Sequence, residues 1–441
     1  MNSLWCAPRR VGSGINSALR TFQGPAVGRC GRARNAVPLS REIHALATDF
    51  LPNNLPGWTD SMKSVREAVS KVVTKYPDEY WAKADKEETF PWDMYKEMAD
   101  GGWLGICLPE EYGGSNLGIS EAAIMLQTVA EGGGGVNAAS TVHMNIFGLE
   151  PVVKHGTSEQ KQRFLPPLIA GKERACFGVT EPNSGLDTLR LQSYAVPHGD
   201  EYRLTGSKIW TSTAQVANKI LILVRTTPLA EVKKPTQGLS LFYTDLDRSI
   251  VKVDKIDKMG RSAVDSNVIF FEDWKVPRED LIGKEGDGFK MIMAGLNAER
   301  VLVGAEALGL GYAALRRASR YAQDRHVFGR PIGQNQGIQH PLAEVWMQIE
   351  AARLVVYSAG KLYDEGYADG EYANAGKYLA AKAAHYAAER AVMTHGGMGY
   401  AKEYHVERYL REAMLQRLSP VSEELIKNYI GQRVLGLPKS Y

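Results

Sequence analysis

One carboxylate and one indole stand out as residues with chemistry to do. Glu299, in Asn297-Ala298-Glu299-Arg300, falls inside a long, mostly apolar stretch without proline. That pattern predicts a buried helix over 289–324. A carboxylate kept from water holds its proton to higher pH, which suits a base for a weakly acidic C–H. Trp210 lies in Lys208-Ile209-Trp210-Thr211-Ser212, downstream of Thr180-Glu181-Pro182-Asn183-Ser184-Gly185-Leu186-Asp187. An indole on a strand can pack flat against a planar ring. A salt-bridged structural glutamate and a core tryptophan are the alternatives at these two positions.

Other chemistries find no support. Cys107 and Cys176 are isolated, and no Cys-x-x-Cys or His-Glu-x-x-His pattern occurs, so no metal site is expected. Gly132 to Gly135 lack the Lys-Ser or Lys-Thr of a phosphate loop and read as a flexible inter-helix turn. No Gly-x-Gly-x-x-Gly follows a strand, which disfavours a nicotinamide-binding domain. A net charge of +3 gives no reason to expect nucleic acid, and no apolar run is long enough to span a membrane.

The elements that must position Glu299 and Trp210 fall into blocks. The 441 residues, 44% hydrophobic and 23% charged, suit a soluble protein of two or three domains. Residues 1–45 hold seven Arg before any acidic residue and read as an organellar presequence, with Cys6 and Cys30 inside it. Residues 46–175 show helical periodicity, with Thr157-Ser158-Glu159-Gln160 in capping-box form and Pro166-Pro167 closing that helix. Residues 176–282 alternate apolar and polar in short runs and read as an antiparallel β-domain. Residues 283–441 return to long helices: 289–324, 338–365, 371–393 and 422–434. Gly309 and Gly311 mark close packing in the first of these. The fold class is α+β.

Several ordered motifs together resemble the acyl-CoA dehydrogenase family over residues 50–441. They are Leu104-Gly105-Ile106 with Pro109-Glu110-Glu111-Tyr112-Gly113-Gly114, and His155-Gly156-Thr157 with Leu165-Pro166-Pro167-Leu168. Arg325-His326-Val327-Phe328-Gly329-Arg330-Pro331-Ile332 and Gly396-Gly397-Met398-Gly399-Tyr400 complete the set. The resemblance implies a helical N-terminal domain, a middle β-domain and a C-terminal four-helix bundle. It implies FAD as cofactor, an acyl-CoA substrate, a homo-oligomer (tetramer or dimer), and electron-transfer flavoprotein as acceptor. It places Thr180 at the flavin pyrimidine, Trp210 beside the isoalloxazine and Ser212 near N5. It also gives Arg325 to a neighbouring subunit's pyrophosphate and Phe328 to the adenine. Gln336, eleven residues past Arg325, belongs to the same group, and Gly396 and Gly397 allow close backbone approach. Leu186 departs from the family's Gly-Ser-Asp and has no hydroxyl for the pyrophosphate, which backbone N–H groups of this turn can still serve.

Most of the family carries its base near the C-terminus. Counting nine residues from Arg411 puts that position at Pro420, which has neither a carboxylate nor an N–H for the thioester oxygen. A branch resembling isovaleryl- and long-chain enzymes takes the acid from the first long C-terminal helix, and Glu299 matches it. Glu306, Glu423 and Glu424 are its rivals. The implied reaction is α,β-dehydrogenation to the trans-2-enoyl-CoA, with the α-proton to Glu299 and the β-hydride to flavin N5. An acyl-CoA oxidase or flavin monooxygenase on the same scaffold, and a non-catalytic assembly subunit, are the competing readings. The expected location is the mitochondrial matrix, with the peroxisome as alternative.

Overall fold

The computed structural model describes residues 57–367 and 370–440. The presequence reading of 1–45, with Cys6 and Cys30, lies outside the described residues.

Capping and apolar spacing set the first helices. α1 (Asp60–Val73) begins at Thr59, whose hydroxyl accepts from the Met62 amide, and buries Met62, Val65, Val69 and Val73 on one stripe. α2 (Asp78–Glu87), α3 (Trp92–Asp100), α4 (Ile119–Val129), α5 (Gly135–Phe147), α6 (Glu150–His155) and α7 (Ser158–Ile169) follow. α7 opens on the expected capping box between Thr157 and Gln160. It does not stop at Pro166-Pro167 but runs on to Ile169. The prolines forfeit bonds only to the carbonyls of Gln162 and Arg163, two exposed residues, while buried Leu165, Leu168 and Ile169 hold the last turn in place. The glycine run is not a flexible turn either. A wide helical turn, Ala130–Gly134, joins α4 to α5, and a Cβ on Gly134 would fall 2.5 Å from the Trp81 ring.

Eight strands then form one sheet: β1 (Ala175–Gly178), β2 (Tyr194–His198), β3 (Glu201–Ser212), β4 (Lys219–Arg225), β5 (Leu239–Asp245), β6 (Lys252–Lys255), β7 (Ser266–Pro277) and β8 (Leu281–Ile282). The order is β6-β7-β3-β2-β4-β5-β8, with β1 beside β4. The sheet is antiparallel except where β1 and Tyr194, the first residue of β2, meet β4 in parallel. β1 enters from α7 rather than from a hairpin, so no tight turn dictates its direction. β4 is buried on both faces. Leu221 and Leu223 meet Phe164 and Leu165 of α7, while Ile220, Ile222 and Val224 join Tyr202, Phe242 and Trp274 within the sheet's own core.

Helices resume with α8 (Gly288–Asp324), of 37 residues. A short hairpin of β9 (His326–Val327) and β10 (Arg330–Pro331) leads to α9 (Gln336–Asp364), α10 (Glu371–His395), α11 (Val406–Leu418) and α12 (Glu423–Tyr429). α12 ends sooner than the sequence pattern suggests and gives way to a wider turn over Ile430–Val434. α8 is buried almost all round, as its composition predicts. A Cβ on Gly309 would fall 2.3 Å from the Gln127 carbonyl of α4, and one on Gly311 would fall 3.1 Å from Ile349 of α9. Both glycines therefore set the distance at which neighbouring helices pass. One apolar core spans α1, α3–α5 and α8–α11, so the helical blocks on either side of the sheet are packed together. Among the described residues, no helix is long and apolar enough to cross a membrane.

Candidate active site

The turn after β1 is stitched to β3. Ile209 N–H donates to the Thr180 carbonyl at 2.8 Å. Buried Glu181 accepts from Lys208 Nζ at 2.7 Å and from the amides of Gln192 and Ser193 at 2.7 and 2.9 Å. Burial lowers the Lys208 pKa to about 8, against the pull of Glu181. Between Lys208 and Thr211 the β3–β7 ladder slips register, and there Trp210 adopts φ 62°. That left-handed conformation costs a bulky residue on the order of 1 kcal/mol. The indole it presents is 56% exposed, so Trp210 is not a core residue. Leu186 is exposed on the neighbouring turn.

Ser212 stands two residues beyond the bulge. Its Oγ accepts from Arg261 Nη2 at 2.9 Å, which leaves its own O–H available as a donor. Arg261 also donates to Ser266 Oγ at 2.7 Å and to Ser140 Oγ, on α5, at 3.4 Å.

Glu299 turns toward the protein from α8. It keeps a little surface access, yet burial pushes its pKa up to about 7; His143 and Arg300 draw it back and Glu306 adds to the rise. His143 lies on α5 one turn after Ser140, and its Nδ1 is 2.6 Å from Glu306 Oε1. Gln416 of α11 donates to the other Glu306 oxygen at 3.2 Å. The start of α5 is fixed by buried Glu412, which accepts from the Val136 and Asn137 amides at 2.6 and 3.2 Å and from Arg408 at 3.0 Å. α5 thus runs from Ser140, tied through Arg261 to Ser212, to His143, whose charge acts on Glu299. The rival acids have other employment. Glu306 is paired with His143, Glu423 is paired with Arg417, and Glu424 is exposed. Beside Pro420, the Val421 carbonyl accepts from buried Lys377 at 2.7 Å. Burial lowers the Lys377 pKa to about 8.

Arg325, Phe328, Gln336, Gly396 and Gly397 are all exposed. Phe328 (φ 53°) and Gly329 (φ 76°) form the two-residue tip of the β9–β10 hairpin, and the phenyl ring is 99% exposed. His395 stacks on Tyr321 with ring centroids 4.2 Å apart, which brings the Gly396–Gly397 turn to the hairpin end of α8. At about 1.5 Å per residue, Arg325 lies roughly 39 Å along the helix axis from Glu299. The expected site residues therefore separate into a group around Trp210 and Glu299 and a surface group around Phe328.

Sequence reasoning missed Ser140, His143, Arg261 and Lys377. His143 carried a usable signal, since it is the one ionisable side chain in the otherwise uncharged segment 135–147. Arg261 and Lys377 act through partners more than forty residues away, and no local pattern announces them.

Three family models match the chain in succession: the acyl-CoA dehydrogenase N-terminal domain over 59–172, middle domain over 176–274 and C-terminal domain over 286–435. The chain belongs to the acyl-CoA dehydrogenase family. It is a flavin-dependent oxidoreductase with the three-part helical, β and helical architecture. An acyl-CoA dehydrogenase of Bacillus subtilis is 35% identical over 80% of this chain and 92% of its own length. The mitochondrial 2-methylacyl-CoA dehydrogenase of Solanum tuberosum is 32% identical over 85% of this chain and 90% of its own. The solved butyryl-CoA dehydrogenase of Megasphaera elsdenii superposes with a TM-score of 0.81 at 30% identity, covering 86% of this chain and 99% of that one. In this acyl-CoA dehydrogenase α5 is tied through Arg261 to Ser212, two residues past Trp210, and acts through His143 on the acid at position 299.

Proposed function

We propose that the protein oxidises an acyl-CoA thioester to the trans-2-enoyl-CoA, with Glu299 as the base that removes the α-proton. The observation that carries this reading is a carboxylate raised to about 7 by burial, joined through α5 and Arg261 to the face that bears Trp210 and Ser212. An ordinary carboxylate, near 4.3, is too weak a base for a proton beside a thioester, and the raised value narrows that gap. The residues present fit FAD. Trp210 offers a flat face, Thr180 and Ser212 offer hydroxyls, and Arg325 offers a phosphate-binding fork. Bound FAD supplies the acceptor for the β-hydrogen and its electron pair. Lys377 holds the Val421 carbonyl after Pro420, and in place of the missing proline N–H we assign the Val421 N–H to the thioester oxygen.

The exposed ring of Phe328 and its neighbours Arg325, Gln336, Gly396 and Gly397 close the cofactor site of a second copy, which makes the protein a homo-oligomer. Electrons leave to electron-transfer flavoprotein. The Arg-rich, acid-free beginning of the sequence, and the mitochondrial enzyme among its relatives, support delivery to the mitochondrial matrix. Anaerobic addition of acyl-CoAs of varied length and branching tests the activity: at least one should bleach the yellow flavin absorbance, and failure of all of them overturns the proposal. Trp210→Ala is expected to weaken FAD binding by about ten- to a hundredfold, since stacking and burial are both lost. Fluorescence titration of the apoprotein measures this, and parental affinity would remove Trp210 from the cofactor site.

A further inference from the structure

We propose that His143, braced by Glu306 and Gln416, is a positioning residue that stations a positive charge beside the Glu299 carboxylate. This rests on the reading of Glu299 as base. The brace is a built one. The imidazole Nδ1 is 2.6 Å from Glu306 Oε1, Glu306 is 3% exposed, and Gln416 from α11 holds its second oxygen. The start of α5 is in turn fixed by Glu412. Burial alone would discharge the imidazole, but the adjoining Glu306 carboxylate more than offsets this and holds the His143 pKa above its ordinary value.

The surrounding charges show why an imidazolium is needed. Around Glu299 stand His143 from α5, Arg300 and Glu306 from α8 itself, and Lys377 from α10. Arg261, from the turn before β7, acts on His143 and Glu306 in turn. The other cations are each held by a further partner as well: Arg300 by Asn297 at 2.8 Å, Lys377 by the Val421 carbonyl, and Arg261 by serine hydroxyls. Glu306 opposes ionisation of Glu299, since it lies seven residues on along nearly the same helix face. Its pairing with His143 turns that repulsive neighbour into the anchor of an attractive one. The base is thereby kept ionisable near neutral pH in surroundings that would otherwise leave it protonated. After turnover, the same charge helps it release the proton it has taken.

The test compares His143→Gln with His143→Lys, which restores a cation. Ionised Glu299 is the active form, so kcat/KM rises with pH through the pKa of the base. Removing a neighbouring positive charge raises that pKa, and the acid limb should move up by about one unit in His143→Gln. Activity should then be roughly tenfold lower than parental below the limb and close to parental at high pH. His143→Lys should bring the limb back toward the parental position. A second readout needs no turnover: the infrared C=O band of the protonated acid that Glu299→Gln deletes, followed through a pH titration of the enzyme. In His143→Gln this band should persist about one unit higher. A limb and band that do not move, or equal loss of activity at every pH in both variants, overturn the inference. Full flavin reduction by Glu299→Gln would instead overturn the assignment of the base, whatever His143 does.

Discussion

Glu299→Gln is expected to slow anaerobic flavin reduction by acyl-CoA at least about 10³-fold while flavin content stays parental. Glutamine keeps the shape and the hydrogen-bonding reach of the acid but cannot accept the α-proton. The loss should appear in the reduction rate rather than in substrate binding, because the interaction removed is made in the transition state. Stability should move the opposite way. A glutamate whose folded pKa is raised contributes its share fully below its unfolded value, about 4.5, and loses it as pH rises through about 7. At pH 8 the parent must hold an ionised carboxylate in its buried setting, and Glu299→Gln relieves this. The variant should melt at a higher temperature than the parent at pH 8, by a free energy of at most about 3 kcal/mol, with little difference at pH 4.5. Unchanged bleaching would remove Glu299 from the mechanism.

Glu181→Ala is expected to cost about 3–5 kcal/mol and to release flavin on purification. Among the described residues the carboxylate is the ion-pair partner of Lys208, a wholly buried ammonium, and it also satisfies the Gln192 and Ser193 amides. Without it a charge and the Ser193 amide are left in the interior, and the Gln192 amide loses its partner. The damage lies between Thr180 and Trp210, the two residues whose spacing the Ile209–Thr180 bond maintains. Pairing Glu181→Leu with Lys208→Met removes the stranded charge and should recover part of the melting temperature. It leaves the two amides unserved, so flavin retention should recover less. Calorimetry and the flavin-to-protein ratio separate these effects. A single variant that melts and loads like the parent would show that this pair does not hold the turn.

Much of this was written locally in the chain. The uniform apolar character of α8 announces its burial, and the Thr157–Gln160 box marks the start of α7. Glu299 could be picked out because an acid inside such a helix is costly unless it is used or paired. Other features depend on partners that a one-dimensional pattern does not show. Pro166-Pro167 reads as a stop, yet the buried side chains around it carry the helix past both residues. The Gly132–Gly135 run reads as slack, yet Trp81 and Val73 press against it. The outward turn of Trp210 depends on a register slip against β7, and its sequence fits a core strand equally well. Of the charges that tune Glu299, His143 and Lys377 arrive from α5 and α10, and nothing near position 299 foretells those two.

The separation of Glu299 from Arg325 along α8 has a genetic consequence. If the arm at one end of the helix serves a neighbour's cofactor while the acid at the other end serves its own chain, a defect at either end is confined to a different pocket. Two crippled proteins, Glu299→Gln and Arg325→Ala, co-expressed in one cell, would then assemble hybrids in which some pockets inherit neither lesion. Such hybrids should regain activity that neither parent shows alone, and two alleles silent separately would rescue each other.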